Sequence, residues 1–401
     1  MSGKTNTMNN WSVVTSNIRK YSMFIILAII MGVFAFLTNG INLSPRNITN
    51  IFFQYSYVLI LAVGMVQVII IKGIDLSVGS ICAFVGALSA MLYNRPLDMF
   101  STVALALLMG LVIGAWHGVW VAYARLPAFI VTLAGMLLFR GLTYIVTKVN
   151  PVSLRDMGYS YMSTGTIDEL FSLERFGNYF PAAFILAVVV LIIFFIVEFE
   201  AALRKRKTAS EHNHHVAPIG FIIFKLVIVT VLTLILAERF ARFRGLPIVV
   251  IVLLITVFLF HFLLNNTVLG RYIYAVGGND RSAKLSGINS EMVTFIVFCF
   301  MGMLTGLAAV VSTGYMNSAL PQAGNLFELD AIAACYIGGV SAAGGIGTVV
   351  GVIVGGLVMS AINNGMSIMN MGAHHQLVVK ALVLLLAVFY DVYTRRKAGL
   401  G

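Results

Sequence analysis

The chain is divided into apolar segments long enough to cross a membrane as helices. A hydrocarbon core of about 30 Å needs roughly 20 apolar residues for each helical crossing. Twelve such segments occur, at about 21–37, 50–71, 78–93, 101–124, 126–147, 179–197, 219–237, 247–264, 292–314, 327–343, 347–364 and 376–393. The repetition predicts an all-α fold, a polytopic integral membrane bundle of about twelve transmembrane helices.

The composition supports a membrane protein and excludes several other classes. Of 401 residues, 60% are hydrophobic and only 10% are charged, whereas soluble domains carry about 25% charged residues. A disordered protein, a secreted disulfide scaffold and a nucleic-acid binder are therefore excluded, and membrane lipid is the expected surrounding. Cys82, Cys299 and Cys335 lie apart in apolar segments, so we interpret them as packing residues.

The distribution of basic residues predicts the orientation. With the N-terminus inside and twelve alternating spans, fifteen of the 26 Lys and Arg residues fall on the cytoplasmic side and eight on the other. Cytoplasmic loops carry the excess of Lys and Arg, so both termini are expected inside. Residues 1–20 and 394–401 are then cytoplasmic tails, and 21–393 form the membrane domain.

Two hydrophilic segments stand out, 148–178 and 265–291, and a basic loop lies at 198–218. Residues 148–178 form a predicted external loop whose aromatic residues suit a membrane interface. Residues 198–218 form a predicted flexible basic loop inside. This loop contains His212, His214 and His215, but a zinc site normally takes ligands from more than one element, so we expect no metal there.

The predicted cytoplasmic segment 265–291 has the pattern of a short surface helix. Asn279 and Asp280 can cap a helix over about Arg281 to Leu285, and Gly287 can terminate it. The segment is too polar to span a membrane. A helix of this kind can dock a soluble partner, or it can lie on the membrane surface with no partner.

Few ionisable residues lie within the predicted spans. Asp75, Glu328 and Asp330 are placed at span boundaries, where a carboxylate can cap a helix or favour its positive end. Direct contact with a substrate is the alternative for these acids. Arg140 and Lys380 are expected to extend to the membrane surface.

Glycines recur at four-residue spacing in three of the predicted helices. The ladders are Gly110, Gly114 and Gly118; Gly302 and Gly306; and Gly347, Gly351 and Gly355. Such faces let helix backbones approach closely in lipid. We interpret them as packing faces within one chain in preference to a dedicated dimer face.

Six motifs, in order along the chain, closely resemble those of monosaccharide ABC-importer permeases, the ribose, xylose, arabinose and galactose group. They are Gly73-Ile-Asp-Leu-Ser-Val-Gly-Ser80, Gly270-Arg271, Gly277-Gly278-Asn279 through Ser286-Gly287-Ile288, Leu329-Asp330-Ala-Ile-Ala-Ala334, Ile337-Gly338-Gly339-Val340-Ser341 and Gly344-Gly345-x-Gly347. In that family, the segment matching Ala275 to Ile288 is the coupling helix, which docks on the ATPase.

The resemblance implies a transport subunit of the bacterial plasma membrane that has no cofactor and is not itself an enzyme. Two copies would form the path for the monosaccharide, a separate ATPase would drive it, and an extracytoplasmic sugar-binding protein would deliver the substrate. The candidate residues for ATPase coupling are Gly277, Gly278, Asn279, Asp280, Ala283, Ser286 and Gly287. The candidates for the translocation pathway are Asp75, Ser77, Asp330 and Gly338.

The sequence departs from the ribose-type pattern in two places. Lys72 replaces a common glycine, and an extra pair of spans at about 179–237 precedes the coupling segment. The longer layout resembles the xylose and multiple-monosaccharide permeases. The chain contains no Walker loop, which fits a permease that depends on a separate ATPase.

Two other functions are weighed against this one. An ion-coupled sugar symporter would need carboxylates in the middle of spans and similarity between its halves, and the sequence shows neither clearly. A membrane scaffold without transport activity gives no reason for a coupling segment.

Overall fold

The computed structural model describes residues 10–212 and 219–397, which are almost entirely helical. The α-helices are α1 (Asn10–Leu37), α2 (Pro45–Ile70), α3 (Val78–Tyr93), α4 (Met99–Gly118), α5 (Ala128–Thr147), α6 (Gly158–Thr164), α7 (Ile167–Leu170), α8 (Pro181–His212), α9 (Ile219–Phe243), α10 (Ile248–Asn266), α11 (Val268–Gly278), α12 (Asp280–Leu285), α13 (Ser290–Met316), α14 (Phe327–Ile337), α15 (Val349–Ile368) and α16 (Ala373–Lys397). A 3-10 helix covers Ile41–Leu43, a π-helix over Val119–Tyr123 extends α4, and strands β1 (Val152–Ser153) and β2 (Ser318–Ala319) pair antiparallel.

Every one of the twelve predicted apolar segments overlaps a helix. Within the described residues, six helices are long and apolar enough to cross a membrane: α2, α4 with its π extension, α5, α10, α13 and α15. Shorter apolar helices accompany them, among them α3 and the apolar parts of α1, α8 and α16. The prediction of a polytopic, all-helical membrane fold is confirmed.

Helix α2 runs through the centre of the bundle. Its most apolar stretch is 89% buried, against 28% for the corresponding stretches of α4 and α5. It packs against α13, α15, α14, α9 and α10. The peripheral helices instead leave rows of Leu, Ile, Val and Phe exposed, as helix faces in contact with lipid do.

The glycine ladders pack helices within the chain. A Cβ on Gly110 would lie 2.2 Å from the carbonyl oxygen of Gly302, and one on Gly114 would lie 3.0 Å from the Gly302 Cα. Gly306 approaches the carbonyl of Ala106 in the same way. We call these residues, Gly110, Gly114, Gly302 and Gly306, the glycine seam between α4 and α13. It is the intramolecular packing face that the spacing predicts.

The helical structure is interrupted within two apolar regions of the chain. Residues 71–77 between α2 and α3 are not helical. Helix α14 has only 11 residues, which at about 1.5 Å per residue is half a membrane crossing. The predicted span over 327–343 is therefore too long, because the backbone leaves the helix at Gly338 and adopts positive φ at Gly339, Gly344 and Gly345.

Helix α8 is longer than predicted. It continues to His212, so the first part of the predicted basic loop is helical. Residues 198–207 are rich in Ala, Glu, Lys and Arg, which have high helix propensity and extend the helix past its apolar part. His214 and His215 lie outside the described residues.

The predicted external loop is partly buried. Tyr159 is fully buried, and its hydroxyl lies 2.7 Å from the Ser89 hydroxyl. Tyr161 is half-buried. Phe171 and Phe176 are exposed. The interfacial placement stays a prediction for the exposed Phe171 and Phe176, and it is wrong for Tyr159, which packs into the core instead.

Candidate functional site

The surface helix α12 is capped at both ends. The Asn279 Oδ1 accepts a hydrogen bond from the Ser282 N–H at 3.0 Å. At the other end, the N–H of Gly287 donates to the Lys284 carbonyl at 3.0 Å, and that of Ile288 donates to the Ala283 carbonyl at 3.1 Å. With Gly287 at φ +83°, this is a Schellman motif. The capped helix predicted from the sequence is present at the expected residues.

Two adjacent glycines before α12 have different surroundings. A Cβ on Gly277 would lie 1.9 Å from the Ile70 carbonyl oxygen, which also accepts a hydrogen bond from Gly345 N–H at 2.9 Å. A Cβ on Gly278 would meet nothing within 4 Å. Gly277 thus lets α11 contact the end of α2, whereas Gly278 faces open space.

A small network of ion pairs links α12 to the bundle through Lys284 and Glu291. Lys284 Nζ lies 2.9 Å from Glu291 and 3.3 Å from Asp280, and Arg125 lies 3.3 Å from Glu291. The hydrogen bond to Glu291 is the main cause that raises the pKa of Lys284. Pairs this exposed contribute about 0–1 kcal/mol each, so they orient α12 more than they stabilise it.

An exposed leucine completes the α12 surface. Leu285 is 84% exposed on a helix that is otherwise mostly polar. The sequence pattern predicts Leu285 as the last residue of the helix and gives it no role in docking. The signal was a large apolar residue beside the C-terminal glycine. We call the exposed residues Gly278, Asn279, Asp280, Leu285, Ser286 and Gly287 the α12 surface; Ala283 is buried.

A cavity of about 360 Å³ lies beside α12. Its polar lining includes Lys72, Arg125, Asp280, Lys284 and Glu291. The α2–α3 connection, the α4–α5 connection and α12 therefore meet around unfilled space.

The candidate pathway residues Asp75 and Ser77 lie together in the α2–α3 break. Asp75 is buried, and its Oδ1 accepts hydrogen bonds from the backbone N–H of Ser77, at 2.8 Å, and from the Ser77 hydroxyl. The Ser77 side chain makes no bond to the first turn of α3. Asp75 therefore holds the backbone just ahead of α3.

Asp330 joins two helices. Its Oδ2 lies 3.0 Å from Lys380 Nζ, and both residues are largely shielded. The prediction that Lys380 extends to the membrane surface is wrong, because a carboxylate is within its reach inside the bundle. Gly338 instead serves packing: a Cβ there would lie 2.6 Å from the Gly351 carbonyl oxygen.

Arg140 also has partners inside the bundle. Its Nη1 donates to the carbonyls of Pro321 at 3.1 Å and Ala323 at 2.6 Å. Arg140 is the thirteenth of 20 residues in α5, which places it well inside the span. The expectation of surface contact is wrong for Arg140 as well, because the irregular segment before α14 offers it acceptors.

The structure separates the candidate residues into two groups. The coupling candidates lie close together on the loop and helix around α12, and the Lys72 ammonium donates a hydrogen bond to the Gly278 carbonyl at 3.4 Å. The pathway candidates lie at the helix breaks inside the bundle. Helices α2 and α3 connect the two groups, since the Ile70 end of α2 contacts Gly277 and Asp75 follows five residues later.

These features define a class of protein: a polytopic helical membrane protein with interrupted spans and a capped helix on its surface. Residues 47–388 match the family described as "Branched-chain amino acid transport system / permease component". The chain belongs to this permease family.

Its relatives include sugar permeases. The xylose transport system permease protein XylH of Escherichia coli (strain K12) is 37% identical over 390 residues, which cover 95% of this chain and 94% of the relative. XylH of Haemophilus influenzae is also 37% identical, over 396 residues covering 95% and 98%. The ribose import permease protein RbsC of Escherichia coli (strain K12) is 35% identical over 346 residues, covering 86% and 85%.

The comparisons confirm the resemblance to monosaccharide permeases and the similarity to the xylose type. They cover almost the whole chain. No solved structure is significantly similar to this chain.

Proposed function

We propose that this chain is the membrane-spanning permease of an ATP-driven importer of monosaccharides, with a xylose-like pentose as the first substrate to test. Two observations support the proposal: the near full-length similarity to XylH and the exposed, doubly capped helix α12. Two copies of the chain form the sugar path between them. Both termini lie in the cytoplasm of a bacterial cell.

The α12 surface is the docking site for a separate ATPase subunit. Gly277 and Ala283 are buried and hold the segment on the bundle, whereas the exposed Gly278, Asn279, Asp280, Ser286 and Gly287 face the partner. Leu285 adds an apolar contact, and an exposed large apolar residue on a polar helix is typical of an interface. An extracytoplasmic sugar-binding protein docks at the opposite face.

Asp75, Ser77, Asp330 and Gly338 remain candidates for the translocation pathway. Their contacts support an indirect role, because Asp75 and Ser77 shape the α2–α3 break and Asp330 is paired with Lys380. Irregular backbone at membrane depth is tolerated where it lines a cavity or is covered by protein. We propose that the path runs past these breaks.

The test uses proteoliposomes that contain the chain, its ATPase and its binding protein, with labelled D-xylose as substrate. Gly278→Leu should abolish uptake and leave membrane insertion intact. The leucine side chain meets nothing within this chain, but it would project into the space that the docked ATPase occupies. Gly32→Leu is the matched control, since a Cβ on Gly32 also meets nothing within 4 Å. Normal uptake by Gly278→Leu would overturn the docking assignment.

An ion-coupled symporter is the second candidate, and one observation favours it. Glu328 is a buried carboxylate inside the bundle, and symporters place carboxylates at such positions. Uptake by the isolated chain on a proton gradient, without ATPase or ATP, would establish the symporter and refute the ATP-driven importer.

A further inference from the structure

Basic residues predominate around the cavity beside α12. Its lining includes three basic residues and two acidic ones, namely Lys72, Arg125, Lys284, Asp280 and Glu291. The lining therefore has an excess of one positive charge. The cavity volume of about 360 Å³ lies within the range of about 300–1,000 Å³ that small-molecule sites occupy. The cavity is thus suited in charge and in size to an anionic group.

Ion pairs within the chain use only part of this positive charge. Lys284 binds both acidic residues, at 3.3 Å and 2.9 Å. Arg125 contacts Glu291 through Nη2 at 3.3 Å, yet its side chain is 77% exposed. The Lys72 ammonium donates to the Gly278 carbonyl and forms no ion pair with any residue in 10–212 or 219–397. Lys72 and Arg125 therefore remain available to an anionic ligand.

Both of these residues adopt a left-handed backbone conformation. The φ angle is +65° at Lys72 and +55° at Arg125. A Cβ makes this region unfavourable, whereas glycine adopts it without that cost. A purely structural need for these two connections would therefore favour glycine at both positions. It does not account for two long basic side chains that line one cavity.

A buried hydroxyl group also belongs to the cavity lining. Ser290, the first residue of α13, is 4% exposed. Its Oγ has no hydrogen-bond partner among the residues that the structure describes. Burial of a polar group without a hydrogen bond is unfavourable, and a hydroxyl can donate to an anionic oxygen. A ligand with acceptor oxygens would supply the partner that Ser290 lacks.

The end of α4 next to the cavity carries exposed aromatic residues. Trp116, Trp120 and Tyr123 are 38%, 42% and 53% exposed, and the ring centres of the two tryptophans lie 6.4 Å apart. Tyr123 is the last residue of this membrane span, and Arg125 follows two residues later. Trp and Tyr at the ends of spans lie at the level of the lipid headgroups. The cavity therefore lies at that level too.

We propose that this cavity binds the headgroup phosphate of an anionic phospholipid. Lys72 and Arg125 contact the phosphate oxygens, Ser290 donates a hydrogen bond, and Trp116 and Trp120 pack against the lipid. Basic pockets between helices at a membrane surface bind anionic headgroups. A cationic headgroup is disfavoured because the two acidic residues of the lining are already paired. The inference goes beyond the proposed function, since it concerns neither the sugar nor the ATPase.

Quenching of tryptophan fluorescence by brominated lipids tests this site. The chain has three tryptophans, so in the full-length Trp11→Phe chain only Trp116 and Trp120 report. The chain in detergent micelles is titrated with phosphatidylglycerol or phosphatidylcholine, each brominated on its acyl chains. A basic residue at a membrane surface strengthens the binding of anionic lipid about fivefold. Phosphatidylglycerol should therefore reach half-maximal quenching at a concentration at least about tenfold lower than phosphatidylcholine.

Two variants in the Trp11→Phe chain remove the basic side chains without backbone strain. Lys72→Gly and Arg125→Gly should each lower the preference for phosphatidylglycerol about fivefold, and the double variant should show no preference. The melting temperature should not fall, because glycine suits the positive φ at both positions. Arg46→Gln is the matched control, since Arg46 is exposed at the opposite end of α2. It should leave the preference unchanged.

Three results would overturn the proposal. Equal quenching by the two lipids would show that the cavity does not select an anionic headgroup. Displacement of phosphatidylglycerol by an excess of inorganic phosphate would show a site for soluble phosphate instead. Absence of quenching by either lipid would show that protein, such as a second copy of the chain, covers Trp116 and Trp120. The assay measures no transport, so failure of the proposed import function would leave its result unaffected.

Discussion

The glycine seam and the region around α14 join helices in opposite ways. Across the seam, the backbones of α4 and α13 touch, and a single added carbon on Gly110 would lie 2.2 Å from the Gly302 carbonyl oxygen. Around α14, the joints are long charged side chains: Lys380 reaches Asp330 from α16, and Arg140 reaches carbonyl groups from α5.

The difference indicates which part of the bundle can move. Backbone contact leaves no side-chain rotamer to adjust, so the seam has one arrangement. Lys and Arg side chains have several rotatable bonds and can exchange partners at modest cost. We therefore expect α4 and α13 to move as one body and the α14 joints to change between transport states.

The largest expected effect comes from Gly302→Leu. The side chain would collide with the backbone of α4 at Gly110 and Gly114. Overpacking typically costs about 1–3 kcal/mol and occasionally more, and this variant belongs at the upper end because a backbone cannot change rotamer to make room. Thermal unfolding followed by size-exclusion chromatography in detergent should show little or no folded protein. A folded variant of normal stability would show that the seam is not rigid.

The next effect concerns the ion pair of Asp330 and Lys380. Asp330→Asn leaves the Lys380 ammonium uncompensated, and breaking a buried pair costs roughly 3 kcal/mol. The double change Asp330→Asn with Lys380→Met removes both charges and should recover at least half of the lost thermal stability. If the double variant is no more stable than the single one, the pair does not join α14 to α16 as described.

Leu285→Asp should weaken binding of the ATPase and leave the stability of the fold almost unchanged. Leu285 is 84% exposed, so the unfolding of the isolated chain should change by less than about 0.5 kcal/mol. Binding of the ATPase subunit, measured by surface plasmon resonance, should weaken about tenfold or more, equivalent to about 1.4 kcal/mol. Unchanged binding would remove Leu285 from the α12 surface.

The smallest effect is expected at Gly141, a helical glycine of α5 with nothing within 4 Å of an added Cβ. Gly141→Ala should raise stability by less than about 1 kcal/mol, because alanine has the higher helix propensity. The same unfolding assay measures it. If Gly141→Ala lost as much stability as Gly302→Leu, the close approach of two backbones would not explain why substitution of a helical glycine is harmful.

Much of the fold follows from sequence patterns that act locally. Apolar runs predict the helices, glycine spacing predicts the seam, and the pattern from Asn279 to Gly287 predicts both caps of α12. These patterns suffice because each depends on neighbours within one helix or one turn.

The remaining features depend on contacts between distant segments. Whether Arg140 and Lys380 extend to lipid headgroups or turn inward depends on where Pro321 and Asp330 lie, and no local pattern encodes that position. The same holds for Glu328, whose residue type is visible in the sequence but whose burial is not. The assignment of coupling and pathway roles stays a prediction until transport is measured.

The contact of Gly277 with Ile70 has a mechanical consequence. The two segments touch through backbone atoms, with no side chain between them to bend or change rotamer. When the two segments are pressed together, neither can yield at such a contact, so the movement of one is passed directly to the other. A force on α12 that presses Gly277 inward therefore acts directly on the end of α2, the most buried helix of the bundle. A displacement of Gly277 in that direction displaces the end of α2 by a similar distance.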